Sequence, residues 1–235
     1  MEIAHGRVSL WLHPARDGEG APLLVLHALG SDGAEATRAL EPGLDVWPGP
    51  VYALDFCGHG RSGRVSGGAY YPELMAADAD AALARLGPGA WISGAGLGAY
   101  VALLVAGARA DSVAGAILWP GAGLVGGGVE PDFAAPRRPR RPRRRTADPG
   151  IQAEPSTDPV LADPGLDDIR PLDYAQSFAE DARRLLLVEA FEEAPPWWSR
   201  ARGVAGARVV TGGEATPSAV LALAAAAAAG PRSPG

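Results

Sequence analysis

Lysine is absent from the 235-residue chain, so arginine supplies every basic side chain. With so much alanine, glycine and proline, that bias points to base composition of the coding DNA rather than to function. Cys57 is the only cysteine, which excludes an internal disulfide and makes a reducing compartment the default. No apolar run reaches the roughly 18 residues of a membrane-spanning helix. Met1 to Arg7 lack the basic-then-apolar layout of a secretory signal, so the expected location is cytoplasmic, with no membrane as partner. Histidine is confined to His5, His13, His27 and His59, and the rest of the chain holds none. No pair of His, Cys or carboxylate residues has metal-ligand spacing, and no cofactor is implied.

Charge is uneven as well. The net charge of −6 includes seven arginines between Arg137 and Arg145; the remainder carries fourteen arginines against 27 acids, a net of −13. An acidic body with one short basic segment argues against nucleic-acid binding by the folded domain. The arginine run itself suits RNA or anionic lipid only if free in solution, and equally suits a low-complexity insertion.

Hydrophobic residues make up 47% of the chain, enough for one large α/β domain. Ile3–Ala4 and Val8–Leu12 read as an edge hairpin, and Pro14 to Pro22 as a polar loop. Continuous apolar runs at Leu23–His27, Val51–Leu54, Trp91–Ser93, Ala114–Trp119, Leu185–Val188 and Ala207–Thr211 read as strands, most of them buried on both faces. Helices are expected over about Ala34–Leu40 with Ser31 or Asp32 as cap, from Pro72 to Leu86 with Gly87 as stop, over Ser177–Arg184, and from Thr216–Pro217 to Ala229. Alternating strands and helices imply a parallel sheet with helices on both faces. Residues 1–130 and 177–230 then form two parts of one core. Between them, 131–176 is a Pro/Arg-rich cap or disordered insertion that cannot build a core of its own.

The chain is organised around Trp91 to Gly107: a buried strand, a turn of glycine and alanine, and an apolar helix closed by Gly107. So tight a reversal needs a residue at φ > 0 with small neighbours. Gly94-Ala95-Gly96-Leu97-Gly98-Ala99 resembles the nucleophile elbow of the α/β-hydrolase superfamily, in which a serine stands at the strained position. His27-Ala28-Leu29-Gly30 resembles that family's His-Gly loop, and Asp55-Phe56-Cys57-Gly58-His59-Gly60-Arg61-Ser62 its Asp-x-x-Gly-x-Gly-x-Ser loop, both in the family's order. The resemblance implies a mostly parallel sheet of about eight strands flanked by helices. It covers residues 1–120 well and 177–229 weakly.

The resemblance does not extend to the triad. The nucleophile position falls on Gly96, which has no side chain to attack with. The expected histidine position after the last strand reads Gly212-Gly213-Glu214, and the acid position falls near Glu192 or Glu193. A nucleophile, a base and an orienting acid are all needed. What the family pattern leaves is an oxyanion hole made by backbone N–H groups of Leu97 and of Ala28 or Leu29, with His27 shaping the loop. Such a site suits a carboxylate, carbonyl or phosphate. Ser93 inside its strand, and Ser31 and Ser62 on turns, are poor nucleophile candidates. Cys57 reads as a small buried hydrophobe, His59 as an exposed turn residue, and Asp55 as the anchor of its own loop.

These residues lead to an expected function: a protein of α/β-hydrolase type without serine hydrolysis, binding a small acyl or carbonyl compound or a protein partner. The alternative is an active esterase or lyase using residues such as His59 or Glu214. A second alternative is a dinucleotide-binding module, since Gly94-x-Gly96-x-x-Ala99 also satisfies that fingerprint, though two buried strands precede it and the next strand ends in Trp119-Pro120. The sequence carries no sign of oligomeric state.

Overall fold

The computed structural model describes residues 1–65, 70–123, 157–158, 161, 170–171, 173–190 and 194–229. Most of the expected 131–176 insertion, including Arg137 to Arg145, lies outside the described residues, as do Glu192 and Glu193.

Eight strands form one sheet: β1 (Glu2–His5), β2 (Val8–Arg16), β3 (Leu23–Leu26), β4 (Val51–Asp55), β5 (Ala90–Ala95), β6 (Val113–Trp119), β7 (Leu185–Glu189) and β8 (Ala207–Thr211). Their order across the sheet is β1-β2-β4-β3-β5-β6-β7-β8. The first two run antiparallel at one edge and β4 to β8 are parallel. The fold is thus the mostly parallel eight-strand α/β sheet that the residues imply. Its parallel strands are apolar on both faces because helices cover both. On one face, α1 (Gly33–Leu44) and α6 (Pro217–Ala228) enclose a cluster that includes Leu23, Val25, Trp47, Trp91 and Ile117. On the other lie α2 (Pro72–Leu86), α3 (Leu97–Ala108), α4 (Tyr174–Asp181) and α5 (Pro196–Arg202), around Leu24, Ile92, Leu103, Leu118 and Trp198. No described helix is long and apolar enough to cross a membrane.

Local chemistry sets the helix ends. The Asp32 side chain accepts the Glu35 N–H at 2.9 Å and Thr216 accepts that of Ala219 at 3.3 Å, each satisfying an otherwise orphaned donor. Pro72 stands in the first turn of α2, and Gly87 ends it at φ +84.

Three expectations need correction. Gly107 does not close the elbow helix; it lies within α3, whose C-cap is Arg109. A Cβ on Gly107 would sit 2.3 Å from the Phe178 carbonyl oxygen, so the glycine permits close approach of α4. The strand β2 continues through Pro14, because beyond Leu12 only β4 flanks it and the missing N–H faces no partner. The helix α4 starts at Tyr174 and stops at Asp181, leaving Ala182 to Arg184 as the approach to β7. A further helix, α5, buries Trp197 and Trp198.

Candidate functional site

The chain passes from β3 outward to β4 and then back to β5, so the C-terminal ends of β3 and β5 bound a crevice where the strand order reverses. Four segments meet there: His27 to Gly30 after β3, Asp55 to Ser62 after β4, Gly96 after β5, and Gly121 to Gly123 after β6.

Gly96 has φ +53 and ψ −115, the region of the first central residue of a type II′ turn, which favours glycine. The small neighbours have specific reasons. A Cβ on Gly94 would meet the Gly98 carbonyl oxygen at 2.1 Å, and one on Gly98 would meet that of Leu26 at 2.5 Å. Strand and helix therefore touch backbone to backbone. A Cβ on Gly96 would lie 2.0 Å from the carbonyl oxygen of Ala122.

That oxygen is the centre of the site. It accepts the Leu97 N–H at 3.0 Å and the Leu29 N–H at 3.0 Å. Two backbone donors from different loops thus converge on one carbonyl, at the positive end of α3. Neither Ala122 nor its neighbours stood among the residues expected from sequence. The available signal was the pair Gly121 and Gly123 just past a strand end, since closely spaced glycines mark close backbone approach. Of the two candidates after β3, Leu29 rather than Ala28 supplies the donor.

The histidines serve the loops. His27 is fully buried; its Nδ1 faces the Ala28 carbonyl at 2.8 Å and its Nε2 the Phe56 N–H at 3.1 Å, which assigns the proton to Nδ1. Burial holds its pKa below the ordinary histidine value, so it is neutral. His59 is 1% exposed, not the solvated turn residue expected. Thr157 and Leu161, remote in sequence, explain the difference: Thr157 bridges to His59, and Leu161 is buried beside Gly58. The His59 ring lies 4.7 Å from that of His27, with Nε2 3.5 Å from the Gly30 N–H and Nδ1 without a partner among the described residues. Burial first, then the neighbouring His27, pushes its pKa down to about 3. An imidazole so far below neutrality is a weak base.

Asp55 ties three elements together. Its Oδ1 accepts the Gly33 N–H at 2.7 Å, and its Oδ2 accepts the Arg61 N–H at 2.8 Å and lies 2.9 Å from His13 Nε2. A Cβ on Gly60 would strike that carboxylate at 2.3 Å, which accounts for the glycine. Ser62 accepts the Trp11 N–H at 2.8 Å and donates to the Asp55 carbonyl. Cys57 is buried, donates to the Gly63 carbonyl, and has its thiol pushed up to about 12 by burial. The Cys57 N–H binds Asp78 Oδ2 at 2.8 Å; burial drives the Asp78 carboxyl up to about 7, with His5 3.6 Å from its other oxygen.

The remaining candidates stay apart from Gly96. Ser31 donates to Glu35 at 2.8 Å, and the Ser93 hydroxyl accepts from Trp119 Nε1 at 2.9 Å. Glu214 is exposed on a 3-10 turn after β8, three strands from β5, and pairs with no described residue. Glu193, the expected acid position, lies outside the described residues. The space a diphosphate would need at the start of α3 holds the Gly121–Gly123 backbone, so the geometry lends no support to the dinucleotide fingerprint. Among the described residues, no group of three or more His, Cys, Asp or Glu is placed to hold a metal.

No protein-family model and no curated protein matches the chain in sequence. Solved structures do match it in fold. The thioesterase domain from the curacin biosynthetic pathway is 17% identical, aligning over 97% of this chain and 98% of that one with a TM-score of 0.68. The N-formylmaleamic acid deformylase of Pseudomonas putida is 16% identical over 90% of this chain and 91% of that one, with a TM-score of 0.64. The bottromycin epimerase, solved in complex with bottromycin, is 20% identical over 97% and 96%, with a TM-score of 0.57. With its strand order, its elbow at Gly96 and these likenesses, the chain has the α/β-hydrolase fold.

Proposed function

We propose that the chain is a binding protein on an α/β-hydrolase scaffold that has lost serine hydrolysis, and that it takes the carbonyl or carboxylate oxygen of a small acyl compound between the amides of Leu29 and Leu97. One observation carries this reading: an oxygen of that chemistry, from Ala122, already accepts both amides at 3.0 Å. Replacing one carbonyl by another conserves the hydrogen bonds, so the exchange is nearly neutral at the oxygen. Selectivity then falls to the rest of the ligand, and Gly121 and Gly123 give the displaced segment its backbone freedom.

Among the described residues, the groups that serine hydrolysis needs are not in place. Gly96 offers no nucleophile, and its Cβ position is filled by backbone. His27 is engaged at both ring nitrogens, and His59 is too acidic as its imidazolium to act as an efficient base at neutral pH. The bottromycin epimerase supports the reading by analogy, since its name describes a reaction other than hydrolysis and its structure holds a ligand.

Two measurements test the proposal. Titration with hexanoate and hexanamide should shift the amide resonances of Leu29 and Leu97 together and saturably. A fluorophosphonate should leave the protein unlabelled, and p-nitrophenyl acetate should give no burst. Stoichiometric labelling, or shifts that spare both amides, would overturn it.

A further inference from the structure

A second cavity lies on the opposite face of β5 from α3. Its volume is about 230 Å³, and its walls include Val25, Ala36, Leu40, Ser93, Trp119 and Pro217. Side-chain alternation explains why Ser93 points there. It follows Ile92, which faces α3, and it pairs in register with Val25 and Ile117, which belong to the cluster under α1 and α6.

The lining is apolar apart from Ser93 and the Trp119 indole, and no charged side chain contributes to it. Ser93 is 1% exposed, and its hydroxyl oxygen accepts the Trp119 Nε1–H at 2.9 Å. The hydroxyl proton has no acceptor among the described residues. A buried serine in a strand would ordinarily return that proton to a nearby carbonyl or another side chain. Here one donor stands in an apolar wall, with Trp119 fixing the orientation of its oxygen.

The geometry points to a binding site for a small, uncharged, largely apolar molecule with a single carbonyl or ether oxygen. The oxygen accepts the Ser93 hydroxyl proton, and the apolar body packs against Val25, Ala36 and Leu40. Size follows from volume. An apolar cavity of about 150 Å³ admits benzene, so this one admits a substituted ring or short chain of about seven to ten non-hydrogen atoms. A charged ligand is excluded because nothing in the wall compensates its desolvation. The site is separate from the pair of amides around Ala122: it lies across β5 from α3 and uses a side chain rather than backbone donors.

Acetophenone is a suitable probe, combining one ring with one carbonyl. Titration into isotope-labelled protein should move the Trp119 indole N–H resonance saturably, with a Kd of about 0.1–1 mM for so few atoms. Any shift of the Leu29 and Leu97 amides should follow a separate saturation curve that neither variant below changes. Ser93→Ala, which keeps the space and removes the donor, should weaken binding about 3- to 10-fold. Ala36→Leu, which fills the space and leaves the hydroxyl, should abolish it. The absence of a saturable Trp119 shift up to the probe's solubility, unchanged affinity in either folded variant, or shifts confined to Leu29 and Leu97 would overturn the assignment. The last result would instead place acetophenone at the other site.

Discussion

Gly96→Ser is the substitution that would appear to restore a hydrolase, and the structure sets its cost. The backbone at φ +53 and ψ −115 is a conformation that a residue with a Cβ occupies at about 1–3 kcal/mol. The new Cβ would also fall 2.0 Å from the Ala122 oxygen and 2.6 Å from the Gly121 carbonyl carbon. Both atoms belong to the backbone, so no rotamer change relieves the clash and the Gly121–Gly123 segment must move. Its departure removes the bonds from Leu29 and Leu97, each worth about 0.5–1.5 kcal/mol net. Water can partly replace them at the crevice, so the expected total is about 2–4 kcal/mol. For a chain of this size that corresponds to a fall in Tm of roughly 4–16 °C.

Guanidinium denaturation and calorimetry measure the loss, and Gly96→Ala isolates its steric part. The two variants should agree within about 0.5 kcal/mol, because the Cβ rather than the hydroxyl causes the effect. The serine should remain unlabelled by a fluorophosphonate, having no imidazole base to activate it. A loss below about 1 kcal/mol would refute the packing argument. Rapid labelling of the serine variant would refute the claim that no competent base is in reach.

Three shorter predictions concern positions around this centre. Burial raises Asp78 from 3.8 to about 7, so the folded chain holds that proton after the unfolded chain has released it; the contribution to stability is full below pH 3.8 and lost as pH rises to about 7. Asp78→Asn should therefore gain on the parent between pH 4 and 8 by up to about 4 kcal/mol, and an advantage independent of pH in urea titrations would exclude this cause. Gly107→Ala should lower Tm despite the better helix propensity of alanine, because its Cβ meets the Phe178 backbone at 2.3 Å; a rise in Tm would mean that α4 shifts freely. Cys57 should react with iodoacetamide at pH 8 no faster than the protein unfolds, since the thiol is buried and its pKa is about 12; prompt alkylation of native protein would contradict that burial.

Much of this architecture was legible because local signals and global burial agree. Leu23–Leu26 and Leu185–Val188 are apolar on every residue, and only a strand covered on both faces needs that. Pro72 and Gly87 frame α2 through their own backbone preferences, with no help from distant residues. The errors arise where a tertiary neighbour decides. Gly107 has the local look of a helix stop, yet its reason is the α4 backbone more than 70 residues away in sequence. His59 sits in a glycine-rich turn, which alone suggests exposure, but Thr157 and Leu161 close over that loop. The helix α5 has seven residues, Pro196 to Arg202, between Pro195 and Gly203, too short for a hydrophobic period to declare itself.

The site illustrates the same division. The glycine at the tip of the elbow is visible in one letter, whereas what lies against it depends on two segments fitting each other. A Cβ on Gly121 would sit 2.9 Å from the Gly96 nitrogen, one on Gly123 would sit 2.3 Å from the Leu97 nitrogen, and one on Gly96 would meet Ala122. Each of the three glycines is thus required by the other segment, and a side chain at any of them would part the two. In an elbow that carries a serine, the crevice must stay open above the hydroxyl for a substrate carbonyl. Here the chain's own carbonyl takes that place, and the missing Cβ of Gly96 is what lets Ala122 approach. Placing a working serine here therefore takes more than one substitution: the serine needs room, the Gly121–Gly123 segment needs another course, and a base must come from a chain with no histidine beyond His59.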